Sequence, residues 1–164
     1  GPKPEKEDLR FIGAGGRALS MLPGSSLIAS DFSFGLIRGG HIDYTVLGAL
    51  QVDEEGSLAN WWVPGKIMPG MGGAMDLVTG VKTVIIGTRH TSKNGTPKLM
   101  KKCTLPFTGL RVVDIVVTEY CVMSFPGGKM TLTELVPGVT VEELRSITEA
   151  DFTVSGNLAE MPGT

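Results

Sequence analysis

The segment Lys82-Thr83-Val84-Ile85-Ile86-Gly87-Thr88 is an apolar, β-branched run bounded by glycine and charge, with no alternation of apolar and polar residues. A strand of that kind needs cover on both faces, which favours a mainly parallel sheet with helices packed on it over a sandwich of alternating strands. Ile42 to Val52 reads as a second such strand, ended by an Asp53-Glu54-Glu55-Gly56 turn. With 164 residues, no repeat of fixed period and no linker, the chain is expected to form a single α/β domain, residues 1–164, built on an open, mainly parallel sheet flanked by helices.

Turn chemistry places the remaining elements. Ser30 or Asp31 is expected to cap a short helix from Phe32 to Arg38, which Gly39-Gly40 stops, after extended pieces that turn at Leu22-Pro23-Gly24. Asn94-Gly95 marks a tight turn, and Pro97 to Lys102 is expected to form one basic helical turn. Val112 to Val117, Tyr120 to Phe125 and Met130 to Val136 read as strands, the last two a hairpin across Pro126-Gly127-Gly128. Thr140 and Glu143 have the spacing of a capping box and open a helix to about Glu149, with Val141, Leu144 and Ile147 on one face. Phe152-Thr153-Val154 makes a last short strand, and Leu158 to Thr164 reads as a frayed tail.

Charge and composition narrow the function. A net charge of -2 provides no field for a polyanion, so nucleic acid is not an expected partner. No apolar run reaches the roughly 18 residues of a membrane span, so no membrane association is expected. Cys103 and Cys121 are too far apart for a metal-binding pair and too few for a disulfide framework, and both read as reduced, buried thiols. No metal site is expected, and His90 is a general-base candidate only by position, a solvated residue at a strand end being the commoner case.

Glycine is the unusual residue: 23 of 164, against ordinary usage of about 7%, gathered between apolar runs. It coincides with large apolar residues in Pro69-Gly70-Met71-Gly72-Gly73-Ala74-Met75-Asp76-Leu77, where the backbone could approach a ligand and offer free amides, or simply turn into a helix. No strand precedes these glycines as a dinucleotide fingerprint requires, and no Gly-Lys-Ser/Thr follows as in a phosphate loop. Asn60, beside Trp61 and Trp62, suits a ligand with amide groups and an apolar body, or else satisfies loop backbone. Arg38-Gly39-Gly40-His41 reads as an anion site or, more readily, as a helix end with a favourable cation.

Taken in order, Ser30-Asp31-Phe32-Ser33-Phe34, Ile37-Arg38-Gly39-Gly40-His41-Ile42-Asp43, Leu47-Gly48-Ala49-Leu50-Gln51-Val52, Leu58-Ala59-Asn60-Trp61, Pro64-Gly65-Lys66 and Gly70-Met71-Gly72-Gly73-Ala74-Met75-Asp76-Leu77-Val78 resemble the β, or B-type, subunit of the 3-oxoacid CoA-transferases. This family includes the acetate, acetoacetate and succinyl-CoA:3-ketoacid enzymes. The likeness continues through Cys103-Thr104-Leu105-Pro106-Phe107-Thr108-Gly109 and Gly138-Val139-Thr140-Val141-Glu142, and covers nearly all of the chain.

The resemblance implies exchange of coenzyme A between an acyl-CoA and a free carboxylic acid, ping-pong through a glutamyl-CoA thioester. It puts the Gly73 amide against the oxyanion, with Gly72 and Ala74 beside it, and Asn60 near the pantetheine arm of coenzyme A. It implies an α-subunit partner in an α2β2-type heteromer, acyl-CoA and short-chain carboxylic or 3-oxo acids as ligands, no permanent cofactor, and a cytoplasmic or mitochondrial-matrix location. The family's nucleophilic glutamate stands in a Ser-Glu-Asn-Gly motif just before a Gly-Pro-x-Pro segment, which Gly1-Pro2-Lys3-Pro4 resembles. The nucleophile is therefore expected upstream of Gly1, in an N-terminal β segment absent here, and the alternative reading is a catalytically silent structural or assembly fragment.

Overall fold

The computed structural model describes residues 7–13, 17–68 and 70–162, so the Gly1-Pro2-Lys3-Pro4 segment lies outside the described residues. Contacts divide the chain into two compact units, Gly1–Ser33 and Phe34–Thr164. In the first, Ile12 bridges Ala18 in antiparallel fashion, and the Leu22-Pro23-Gly24 turn closes through the Ser25 amide on the Leu22 carbonyl at 3.0 Å.

Helix α1, Ser30–Arg38, starts before the expected cap: the Ser33 amide already donates to the Ala29 carbonyl at 3.0 Å. Ser30 and Asp31 thus lie within the first turn, where the Asp31 charge complements the helix dipole. Its end is as expected. Gly40 takes φ 71°, its amide donates to the Ile37 carbonyl, and the His41 amide donates to that of Leu36, the paired bonds of a glycine-terminated helix.

Ile42 to Val52 is not one strand. It splits into β1, Tyr44–Leu47, and β2, Gln51–Asp53, which belong to different sheets because the chain turns out of the first at Gly48-Ala49. Nor is β1 covered on both faces: Thr45 is buried, but Tyr44 and Val46 stand 67% and 68% exposed. Then follow β3, Leu58–Ala59; α2, Ala74–Gly80; β4, Thr83–Gly87; and β5, Leu99–Met100. The basic helical turn expected at Pro97 to Lys102 is thus a strand, since Leu99 and Met100 pair in parallel with Val52 and Asp53.

The remaining elements are β6, Ile115–Val117; β7, Cys121–Ser124; β8, Thr131–Leu135; α3, Val141–Ser146; and β9, Thr153–Glu160. A short 3-10 turn at Pro126–Gly128 makes the expected hairpin of β7 and β8. The main sheet runs β1-β4-β6-β7-β8-β9, parallel at β1-β4, β4-β6 and β8-β9 and antiparallel across β6-β7-β8. A second sheet, β3-β2-β5, shares no strand pairing with it. The fold is mixed α/β with a mainly parallel six-stranded sheet.

The core is continuous: Val84, Ile86, Val116, Met123, Leu132 and Leu144 are all buried in one cluster with Val52, Leu58 and Leu99 of the smaller sheet. The capping box forms as expected, with the Thr140 hydroxyl accepting from the Glu143 amide and the Glu143 carboxylate accepting from the Thr140 amide at 2.8 Å. The Thr140 amide and the Thr140 hydroxyl, which donates to the same carboxylate at 2.9 Å, hold the Glu143 carboxyl below its ordinary value. The helix ends at Ser146 rather than Glu149, because the Glu149 and Ala150 amides turn to the Leu99 carbonyl. Leu158 to Glu160, expected to fray, belong to β9, where Ala159 and Glu160 are paired with Glu134 and Leu135.

Candidate active site

Open parallel sheets bind ligands outside the carboxyl ends of their strands. Here those ends are Gly48-Ala49 after β1 and Thr88 after β4, and Asn60 leaves the smaller sheet beside them. Its Nδ2 donates to the Gly48 carbonyl at 3.1 Å, and its Oδ1 accepts from the Thr108 hydroxyl at 2.7 Å. The same Thr108 oxygen accepts from the Asn60 amide at 3.2 Å. One Nδ2 hydrogen and one Oδ1 lone pair remain over for another group.

Thr108 is placed by pairing of backbone. Its amide donates to the Leu58 carbonyl at 2.7 Å, and the Leu58 amide donates to the Gly109 carbonyl at 2.9 Å. Upstream of it, Gln51 accepts from the amides of Thr104 and Leu105 at 2.9 and 3.0 Å and so fastens this segment to β2. Trp61 and Trp62 are half-buried in the loop, each indole N–H spent on a backbone carbonyl, those of Phe107 and Lys66.

The glycine segment ends in α2. Gly72 takes φ 56°, and Gly73 caps the helix with no side-chain bond. The Gly73 carbonyl accepts from the Leu77 amide at 3.0 Å, so the amides of the first turn, which a helix leaves without partners of its own, stand at this end. Gly73 itself has φ -84°, a conformation open to any residue, so its lack of a side chain answers to space and not to backbone. That space is taken by Phe34 of α1. The two helices come close again at Gly80, whose missing β-carbon would stand 2.6 Å from the Ile37 carbonyl oxygen. Arg38 pairs with Asp76 in the first turn of α2 at 2.6 Å, which makes it a helix-end cation and not an anion site.

No hydrogen bond among the described residues joins Asn60 to Gly72, Gly73 or Ala74. They are related through one intermediary: Gly109, next to Thr108, lies against Val78 of α2 so closely that a β-carbon there would be 3.1 Å from it.

His90 is not solvated. It is fully buried just beyond β4, its Nε2 2.8 Å from the Thr148 hydroxyl and its Nδ1 3.1 Å from that of Thr118. Thr148 gives its own hydrogen to the Leu144 carbonyl at 2.6 Å, so it accepts from Nε2–H, and the neutral ring takes the Thr118 hydrogen at Nδ1. Burial holds this imidazole below its ordinary value, against the smaller opposing effect of Glu119, whose carboxylate accepts the His90 amide at 2.9 Å. Cys103 and Cys121 are buried and free, as expected, and burial pushes their thiols up to about 12 and about 11.

Glu54 and Glu55 line a cavity of about 540 Å³ with Arg111, Lys129 and Phe152, at the turn joining β2 to β3, the far end of that hairpin from Asn60. Its charges are largely used internally, since Arg111 pairs with Glu55 at 3.1 Å and Glu54 accepts the Asp151 amide at 3.2 Å. Among the described residues no three His, Cys, Asp or Glu side chains gather as a metal site, and no helix is long and apolar enough to cross a membrane.

Sequence reasoning missed Thr108, Phe34 and the Gly48 carbonyl as parts of the site. Thr108 and Phe34 lie in segments that carry the family likeness, but their partners are 48 and 39 positions away in the chain, beyond any local pattern.

The family described as Coenzyme A transferase matches residues 2–146. The chain is 52% identical over 158 residues to the beta subunit of an acetate CoA-transferase from Haemophilus influenzae, covering 96% of this chain and 71% of that one. It is 49% identical over 157 residues to the B-type subunit of a probable succinyl-CoA:3-ketoacid coenzyme A transferase from Bacillus subtilis, covering 94% and 73%. The crystal structure of an acyl-CoA transferase apoenzyme from Escherichia coli O157:H7 superimposes with a TM-score of 0.76 at 21% identity, a likeness of fold over 93% of this chain and 33% of that one.

Proposed function

The chain belongs to the coenzyme A transferase family, and from that premise we propose that it is a B-type subunit that helps move coenzyme A between an acyl-CoA and a free short-chain acid. The observation that carries this reading is the Asn60 side chain, fixed by the Gly48 carbonyl and the Thr108 hydroxyl with a donor and an acceptor unspent, in a chain whose glycine segment runs into the amino end of α2. Attack of a carboxylate on a thioester carbonyl places negative charge on its oxygen, and amides held in fixed directions stabilise that charge without reorganising. Gly73 is assigned this contact, with Gly72 and Ala74 forming its surroundings, and the unspent Asn60 hydrogen-bonding groups are assigned to the amides of the pantetheine arm.

No Ser-Glu-Asn-Gly occurs in the 164 residues. The nucleophilic glutamate and the α-subunit partner are assigned to the complete enzyme, in a cytoplasmic or mitochondrial-matrix setting, with coenzyme A as substrate rather than resident cofactor. The same observation favours a second reading, that these residues by themselves are a silent structural part. Reconstituting the complete subunit with its α partner and following exchange between acetoacetyl-CoA and acetate or succinate tests both. Ping-pong exchange and a thioester trapped on the complete subunit are expected, with no turnover from the 164 residues alone. Absence of exchange in the reconstituted enzyme would remove the transferase proposal, and turnover by the isolated chain would remove the assignment of the nucleophile.

A further inference from the structure

We propose that Lys98 is a positioning residue for Asn60, acting through the Gly48-Ala49 turn. Its Nζ donates to the Ala49 carbonyl at 3.0 Å and to the Thr88 hydroxyl at 3.0 Å, and that hydroxyl donates to the same carbonyl at 3.2 Å. The three groups close a triangle over the ends of β1 and β4. One residue earlier, the Gly48 carbonyl carries the Asn60 amide.

The choice of a lysine for this contact is unusual, since it is half-buried and no ion pair among the described residues involves it. An ammonium withdrawn from water without a carboxylate is costly unless its hydrogens are used. Two are used here, on a strand-end carbonyl and a hydroxyl. The backbone of Lys98 is itself fixed at both sides: its amide donates to the His90 carbonyl at 3.0 Å, and its carbonyl accepts from the Val52 amide at 2.9 Å. A connected path therefore runs from the His90 backbone carbonyl through Lys98, and its ammonium, to Ala49, Gly48 and the Asn60 side chain. Ala49 packs its methyl in the core, and its carbonyl, between the two sheets, is held by the Lys98 ammonium and the Thr88 hydroxyl.

This inference rests on the assignment of Asn60 to the coenzyme A arm, and the test separates the two. In the complete two-subunit enzyme, Lys98→Met should raise KM for the acyl-CoA about 10-fold, the worth of roughly one hydrogen bond, with little change in kcat. Lys98→Arg, which keeps a donor, should recover part of it. Combined with Asn60→Ala, Lys98→Met should add almost nothing, because both act on one interaction. Multiplying effects, or an unchanged KM in a folded Lys98→Met enzyme, would overturn the proposal. Should Asn60→Ala leave KM unmoved, the coenzyme A assignment falls, and the side-chain amide resonance of Asn60 then decides. A shift and faster hydrogen exchange of that amide in Lys98→Met sustain the positioning role, and an unmoved resonance ends it.

Discussion

The Phe34 ring occupies the place where a side chain on Gly73 would begin: a β-carbon built there meets the ring at 2.8 and 2.9 Å. The glycine at the amino end of α2 is therefore required by α1, whatever it does toward a substrate. A loss of activity in a Gly73 variant cannot be attributed to the amide until the ring has been moved.

Gly73→Ala should lower stability by about 1–3 kcal/mol, the usual cost of inserting a methyl into filled space. Phe34→Leu in the same chain should return most of it. Thermal denaturation of the single and double variants of the complete enzyme measures the first effect, and CoA exchange by the double variant measures the second. Turnover restored along with stability would mean that the Gly73 amide works equally well beneath a methyl group. Stability restored with turnover still down by roughly 10²-fold would locate the loss at the oxyanion contact.

Gly80→Ala should be harsher. Its neighbour is the Ile37 backbone carbonyl at 2.6 Å, which no side-chain rotation relieves, and a loss of about 2–3 kcal/mol is expected. A midpoint in urea equal to that of the unaltered enzyme would contradict the close approach of the two helices.

Acid should destabilise the fold through His90. Its folded value lies below the ordinary 6.5 because burial disfavours the charged ring. The unfolded chain then binds the proton more readily, so the stabilisation is complete above pH 6.5 and is lost as pH falls through the lowered folded value. The groups facing the ring are the hydroxyls of Thr118 and Thr148, the Cys121 thiol at 3.8 Å, the Tyr120 ring edge-on, and the Glu119 carboxylate on the His90 amide. Urea titrations between pH 7 and 5 should show falling stability, and His90→Gln should flatten that slope. An equal slope in the variant would assign it to other groups.

Thiol reagents should leave the folded enzyme alone at neutral pH. Cys121 is fully buried, Cys103 nearly so, and thiols raised to about 11 and about 12 hold almost no thiolate. Labelling with a chromogenic disulfide should proceed only as fast as the protein opens, and it should become complete in denaturant. Fast stoichiometric reaction of either thiol in the native state would contradict its burial.

What was legible in the chain was what is local. The Thr140-Glu143 box, the Gly39-Gly40 stop and the β7-β8 hairpin each need partners only a few residues apart, and each formed as read. Leu99-Met100 became a strand because Val52 offers it an edge, and Ile42 to Val52 broke because its two ends serve different sheets. Neither fact is written in the segment itself. His90 looked solvated for the same reason, since Thr118 and Thr148 reach it from 28 and 58 positions away. The resemblance chose Asn60, Gly72, Gly73 and Ala74, but it could not tell that Thr108 and Gly48 hold the first, or that Phe34 crowds the third.

The order β1-β4-β6-β7-β8-β9 also bears on how the molecule assembles in time. Strands β6, β7 and β8 are joined by short turns and pair with their neighbours in sequence, so closing them costs little chain entropy. The β1-β4 and β8-β9 pairs are parallel and must each wait for a long crossover to be drawn in. The antiparallel meander is thus the expected nucleus, with β4 and then β1 added later, and high φ-values for Met123→Ala beside low ones for Val46→Ala would be the outcome that supports this order. Since β1 is an edge strand, a site completed at its end is expected to open early when the protein unfolds from that edge, with fast hydrogen exchange in β1 as the sign.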